Sequence, residues 1–198
     1  MPKQRPHSRL APSLIGIGRA IPVGLEDHFL KIKPIPLSRS CYRMVSPKYD
    51  VLNTNGSLLY PGRYSNREFR VLYTADSQEA CSRELARKTT IKTKLIYKIA
   101  ELNVKLKKVI DLTNEQNLKI LDIQKDDLVG NSWILTQHIA SLAYQKGCEA
   151  LLVPSGTEKG SNIILFPENL TKGQKAMVWF PIAKAKDSTL KKTREETI

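Results

Sequence analysis

Apolar residues along this chain fall into short alternating runs separated by turn residues, with two stretches of helical spacing among them. Tyr42-Arg43-Met44-Val45 reads as a short strand ended by Ser46-Pro47. Asn53-Thr54-Asn55-Gly56 is turn chemistry, and Leu58 to Arg63 reads as an extended stretch closing in a turn. Arg70 to Thr74 is a compact strand. Asp76, with Glu79 three residues on, has capping-box spacing and predicts a helix to about Lys88. Lys94–Asn103 and Lys108–Leu112 are β-like, and Thr113 can cap a short helix over Glu115–Leu121. Ser132 can cap a longer helix over Trp133–Lys146, since Leu135, Ile139, Leu142 and Ala143 recur at helical spacing and Gly147 follows as a terminator. Ala150–Val153, Asn162–Phe166 and Ala176–Ile182 complete the strands. Strands outnumber helices without regular alternation, which predicts an α+β fold and no doubly wound sheet.

Domain organisation follows from where this texture begins and ends. Residues 1–38 hold Pro2, Pro6, Pro12, Pro22, Pro34 and Pro36 of the eleven prolines, with little periodicity. They read as a basic, irregular N-terminal extension. Residues 39–183 form the domain, and 184–198 a charged C-terminal tail.

Composition narrows the class. The chain has 198 residues, enough for one sizeable core. Nothing approaches the roughly 18–20 apolar residues of a membrane span. The apolar run Leu14 to Gly18 is interrupted by Arg19, too soon for a secretory signal, so an unexported protein is expected. Cys41, Cys81 and Cys148 show neither a Cys-x-x-Cys pair nor a disulfide framework, which suits the cytoplasm. His7, His28 and His138 have no zinc-ligand spacing, so no metal is expected. The net charge of +13 is scattered, without a single stripe or interleaved aromatic residues to stack bases. A solvated basic surface accounts for it more simply than specific nucleic-acid binding does.

Few residues stand out as chemistry. Glu84 lies on the helix face of Ala80 and Cys81, where a buried carboxylate must be paired, protonated or functional; a salt bridge to Lys88 or Arg87 is the plain alternative. In the turn Pro61-Gly62-Arg63-Tyr64-Ser65-Asn66, glycine allows close approach and Arg63 can present a planar fork of donors to an anion. Val153-Pro154-Ser155-Gly156 runs a strand into a turn that presents a hydroxyl, without the pattern of a nucleophile elbow. Tyr73 on its strand reads equally as core, Arg43 as a surface ion pair, Asn162 as a strand start, and Trp133 as packing.

The order of these pieces carries a resemblance. Gly62-Arg63-Tyr64-Ser65, Val71-Leu72-Tyr73-Thr74 and Ala80-x-x-x-Glu84 resemble the Gly-Arg-aromatic-Asn, Leu-Tyr and Ala-x-x-x-Glu blocks of the RES domain, a family named for its Arg, Glu and Ser. Tyr42 to Val45 is similar to that family's first arginine-bearing strand, and Val109-Ile110-Asp111-Leu112-Thr113 to its hydrophobic-Asp-Leu-Thr block. Trp133-x-x-Thr136-Gln137-x-Ile139-Ala140 resembles its tryptophan helix. Gly147-x-x-Ala150-x-x-Val153-Pro154-Ser155 and Asn162 to Phe166 resemble its ending. Ser65 stands where asparagine is usual, and Met44 where an aromatic residue often follows the arginine.

The resemblance implies an ADP-ribosyltransferase-like fold, with two small β-sheets around an NAD⁺ cleft and flanking helices. It implies an enzyme that breaks the nicotinamide–ribose bond of NAD⁺ with water or phosphate as acceptor. Such an enzyme is the toxin of a toxin–antitoxin pair, and its partner is a helix-turn-helix antitoxin of the Xre type. Nucleic acid would then be met only through the antitoxin. Under this reading Glu84, Arg63 and Tyr73 are catalytic, while Arg43, Ser155 and Asn162 bind NAD⁺. No metal or further cofactor is implied, because the cleavage needs positioning and electrostatics. A mono-ADP-ribosyltransferase acting on a protein is the second reading, and a nucleic-acid-binding module the third.

Overall fold

Strand pairing and helix docking both follow from the alternation. The computed structural model describes residues 20–88, 97–156, 160–170, 175–181 and 191–197. Among these residues seven strands run in chain order: β1 (Ile35–Val45), β2 (Leu72–Ala75), β3 (Lys98–Asp111), β4 (Ala150–Pro154), β5 (Ser161–Leu165), β6 (Lys175–Pro181) and β7 (Lys191–Thr197). Six α-helices accompany them: α1 (Leu25–Leu30), α2 (Asn55–Leu59), α3 (Gln78–Lys88), α4 (Glu115–Ile120), α5 (Lys125–Val129) and α6 (Ile134–Gln145). The pairings give one seven-stranded sheet in the order β1-β2-β5-β4-β3-β6-β7, and a further β1–β3 pairing closes five of the strands into a ring. All pairs are antiparallel except β3 with β4. The fold is α+β, as expected.

The two separate small sheets of the sequence reading are joined into this one system by β3. At 14 residues it is long enough to belong to both halves. Its first part pairs with β1 and β6, and Val109–Asp111 then run parallel to β4. The change of partner occurs beside Glu149, a buried carboxylate that accepts hydrogen bonds from the backbone N–H groups of Lys107 and Lys108. The break expected between Asn103 and Lys108 is therefore absent, because its lysines point outward from an unbroken strand.

Period-two alternation sends neighbouring side chains into different cores. Leu72, Leu102, Val104, Leu106, Ala150, Leu152, Ile163 and Leu165 pack together on one face of the strands. Ile110, Leu151, Val153, Ile164 and Phe166 take the other face, against Leu135, Ile139, Leu142 and Ala143 of α6. Gly147, at φ 68°, ends that helix in the left-handed conformation, and Cys148 N–H reaches back to Ala143 O.

Several local expectations are corrected. Within the stretch read as an irregular extension, β1 begins at Ile35 and α1 buries Leu25 and Phe29 in the main core. Prolines there do not break regular structure, because Pro34 precedes β1 and Pro36 falls at the register shift between Ile35 and Leu37, where the ladder needs no N–H from it. Residues 1–19 lie outside the described residues. The tail contains β7, paired with β6. Asn55–Leu59 is helical, not extended. Ser77 caps α3 by accepting from Ala80 N–H, since the Asp76 carboxylate is taken by Ser161. Asn114, not Thr113, caps α4, and the residue before α6 makes no side-chain cap.

Candidate functional site

Tyr73, Asn162 and Ser155 lie on the helix-facing side of adjoining strands, and α3 brings Glu84 against them. The turn that carries Arg63 is closed by reciprocal backbone bonds, Gly62 N to Ser65 O at 2.8 Å and Ser65 N to Gly62 O at 3.2 Å. The first turn of α6 holds it from outside. Gln137 Nε2 donates to Gly62 O at 2.8 Å and Ser65 O at 3.2 Å, and buried Thr136 donates to Arg63 O. Ser65 is itself buried and donates to Ser57 O at 2.7 Å, so this departure from the usual asparagine serves the turn. Beneath the turn the Tyr73 hydroxyl accepts Tyr64 N–H at 3.0 Å. Arg63 reaches sideways: its Nη1 donates to Leu128 O at 3.1 Å and Gly130 O at 2.5 Å, fastening the end of α5.

Glu84 is half-buried, and one oxygen accepts three donors. Ser155 Oγ lies at 3.1 Å, Gly156 N at 3.2 Å and Asn162 Nδ2 at 3.4 Å from Oε1. The alternative of a salt bridge to Arg87 or Lys88 involves side chains outside the described residues. The segment carrying Ser155 is held by Asp76, whose carboxylate accepts Ser161 N at 2.6 Å and Ser161 Oγ at 3.1 Å. Ser155 N also donates to Gly160 O at 3.1 Å.

Two cavities adjoin this carboxylate. The larger, about 500 Å³, is lined by Arg63, Tyr64, Tyr73, Glu84, Trp133 and Asn162 among others. The smaller, about 150 Å³, shares Tyr73, Glu84 and Asn162 and adds Arg43, Met44 and Cys81. Thus Arg63, Tyr73, Glu84 and Asn162 line one cleft, with Ser155 bonded to Glu84, whereas Arg43 lines only the smaller cavity. Arg43 is not a surface ion pair: Nη2 donates to Asn53 O at 2.8 Å, and Nη1 is buried with no partner among the described residues. Burial lowers its pKa to about 10, and it stays a cation at neutral pH. Burial also pushes the Tyr73 phenol up to about 12, and the Tyr64 phenol further.

Sequence reasoning missed Tyr64, Thr136 and Gln137, and misjudged Trp133, which is 41% exposed and lines the larger cavity. The Trp133-x-x-Thr136-Gln137 spacing held the signal, because one helical turn puts Thr136 and Gln137 on carbonyls of the Gly62–Ser65 turn and Trp133 on the cavity lining. Among the described residues no group of three or more His, Cys, Asp or Glu side chains could hold a metal ion. None of the described helices is long and apolar enough to cross a membrane.

A held carboxylate, an arginine and tyrosines around one cavity, on an α+β scaffold, define a cleft for a small polar ligand. The family model described as RES domain matches residues 40–186, and the chain belongs to that family. It is 27% identical over 163 residues to the NAD(+) phosphorylase MbcT of Mycobacterium bovis, covering 78% of this chain and 88% of that protein. The protein of that name from Mycobacterium tuberculosis H37Rv matches to the same extent. Among solved structures, a chain of the M. tuberculosis MbcT–MbcA toxin–antitoxin complex aligns with a TM-score of 0.70 at 23% identity. That alignment covers 90% of this chain and 94% of the other, and the likeness is one of fold.

Proposed function

We propose that this chain cleaves the nicotinamide–ribose bond of NAD⁺, passing the ADP-ribose group to phosphate or water, and acts as the toxin of a toxin–antitoxin pair. The observation that carries the reading is Glu84, fixed by three hydrogen bonds at the wall of a 500 Å³ cleft that also presents Arg63 and Tyr73. A cleft of that size suits a dinucleotide, ligand sites running from about 300 to 1,000 Å³. Breaking a glycosidic C–N bond develops oxocarbenium character on the ribose. Glu84 stabilises that positive charge, and its three donors keep it from swinging away. Arg63, anchored through Nη1, offers its remaining donors to the pyrophosphate. Tyr73 packs its ring on the ribose or nicotinamide, and Ser155 and Asn162 orient the sugar through the same network that holds Glu84. The relation to ADP-ribosyltransferases belongs to this reading, and the phosphorylase name of the relatives favours phosphate as acceptor over a protein side chain.

The fold's likeness to a chain of a toxin–antitoxin complex supports an antitoxin partner. Leu59, Tyr60, Trp133 and Ile134 are exposed apolar side chains in or beside cleft-lining segments, as a covering partner would require. An Xre-type helix-turn-helix antitoxin with an acidic docking segment fits the net charge of +13.

The test is NAD⁺ consumption by the purified chain, with and without phosphate, beside Glu84→Gln. Loss of at least about two orders of magnitude in the variant is expected. A folded wild-type chain that leaves NAD⁺ intact in both buffers would sink the reading.

A further inference from the structure

Arg43 and the smaller cavity are left over once a dinucleotide fills the larger one. A buried guanidinium is costly without an anion beside it. Yet among the described residues its Nη2 bonds only a carbonyl, the Asp50 carboxylate acts on it through space without a direct contact, and Nη1 is left with no partner. Asn162, which lines both cavities, holds a buried Oδ1 acceptor that also has no partner among the described residues. One orphan is a charged donor and the other an acceptor. An anion that also carries an O–H would satisfy both, and hydrogen phosphate is such an ion.

Size points the same way. With a water's share near 30 Å³, about 150 Å³ accommodates a hydrated oxyanion and excludes a dinucleotide. Cys81, on the cavity wall, is held as a neutral thiol by burial, which raises its pKa to about 11, so it does not repel an anion.

We propose that the Arg43 cavity is the subsite for the phosphate acceptor, opening toward NAD⁺ beside Tyr73, Glu84 and Asn162, the side chains that line both cavities. The proposal rests on the NAD⁺ reading above and replaces the NAD⁺-binding role that the family resemblance implied for Arg43. In the reaction a phosphate oxygen supplies the electron pair for a new bond to C1′ of the nicotinamide ribose. The C1′–N bond breaks and its pair returns to the ring nitrogen, releasing neutral nicotinamide. The proton of the attacking hydroxyl passes to Glu84 and then to water, and nothing is oxidised or reduced.

Initial rates at varied NAD⁺ and varied phosphate, with phosphate binding followed separately by calorimetry, test this on the full chain. Arg43→Gln should raise KM for phosphate about tenfold or more, the weight of a charge-assisted hydrogen bond, and KM for NAD⁺ less than about twofold. Cys81→Met narrows the cavity from another lining position, giving up the Cys81 Sγ–Tyr42 O bond but not the Arg43–Asn53 bond; it should give the same split if Arg43→Gln fails to fold. A rise in KM for NAD⁺ with phosphate unchanged would put Arg43 on the pyrophosphate and overturn the proposal. So would phosphate binding that is absent or equal in all three proteins, leaving water in the cavity. Arg43-dependent phosphate binding by a chain that leaves NAD⁺ intact would uphold the anion site and overturn the activity.

Discussion

The hydroxyl of Tyr73 lies 2.7 Å from the point that a side-chain carbon on Gly62 would occupy, so the two positions form one unit. Gly62→Ala should destabilise the fold by about 1–3 kcal/mol through overpacking and lower the rate of NAD⁺ cleavage. Tyr73→Phe costs about 1–3 kcal/mol by leaving Tyr64 N–H without its acceptor. In the double variant the ring carbon nearest the new methyl group would be 3.4 Å away, an ordinary contact. The double variant should therefore be more stable than the sum of the singles predicts, measured by urea denaturation. Simple additivity would show that the turn relaxes without touching Tyr73.

Under the proposed function Arg63 combines a structural task with a chemical one on a single side chain. Lysine cannot hold two carbonyls and still present a planar fork to a pyrophosphate. Arg63→Lys should lose about 1–2 kcal/mol of stability by releasing Leu128 O and Gly130 O, and raise KM for NAD⁺ about tenfold. A stability loss with KM unchanged would confine Arg63 to fastening α5.

The gathering of Arg63, Tyr73 and Glu84 was readable through the RES-domain blocks that carry them, since on texture alone Tyr73 also reads as core and Glu84 as a salt-bridge partner. The strands bearing Tyr73 and Asn162 were placed within a residue or two, since alternation marks faces well. What the sequence hid was who holds whom. Asp76 looks like a helix cap, but Ser77 competes for that role, and the carboxylate is free to fix Ser161. Gln137 reads as a polar residue on a helix, and only the fold shows that its amide faces the two carbonyls of the Gly62 turn. The placement of Arg43 apart from Arg63 was equally hidden, because two arginines well separated in sequence can share an anion or face different ones.

The protonation state of Tyr73 gives a pH prediction that separates packing from proton transfer. Burial raises its pKa from 10 to about 12, so folding favours the phenol. The stability tied to that phenol is complete below the unfolded value near 10 and disappears as pH rises through about 12. Around neutrality its charge does not change. The ratio of wild-type to Tyr73→Phe rates should accordingly stay flat between about pH 6 and pH 9. A ratio climbing about tenfold per pH unit over that range would mean that a phenolate takes part in the reaction, and the packing role would have to be abandoned.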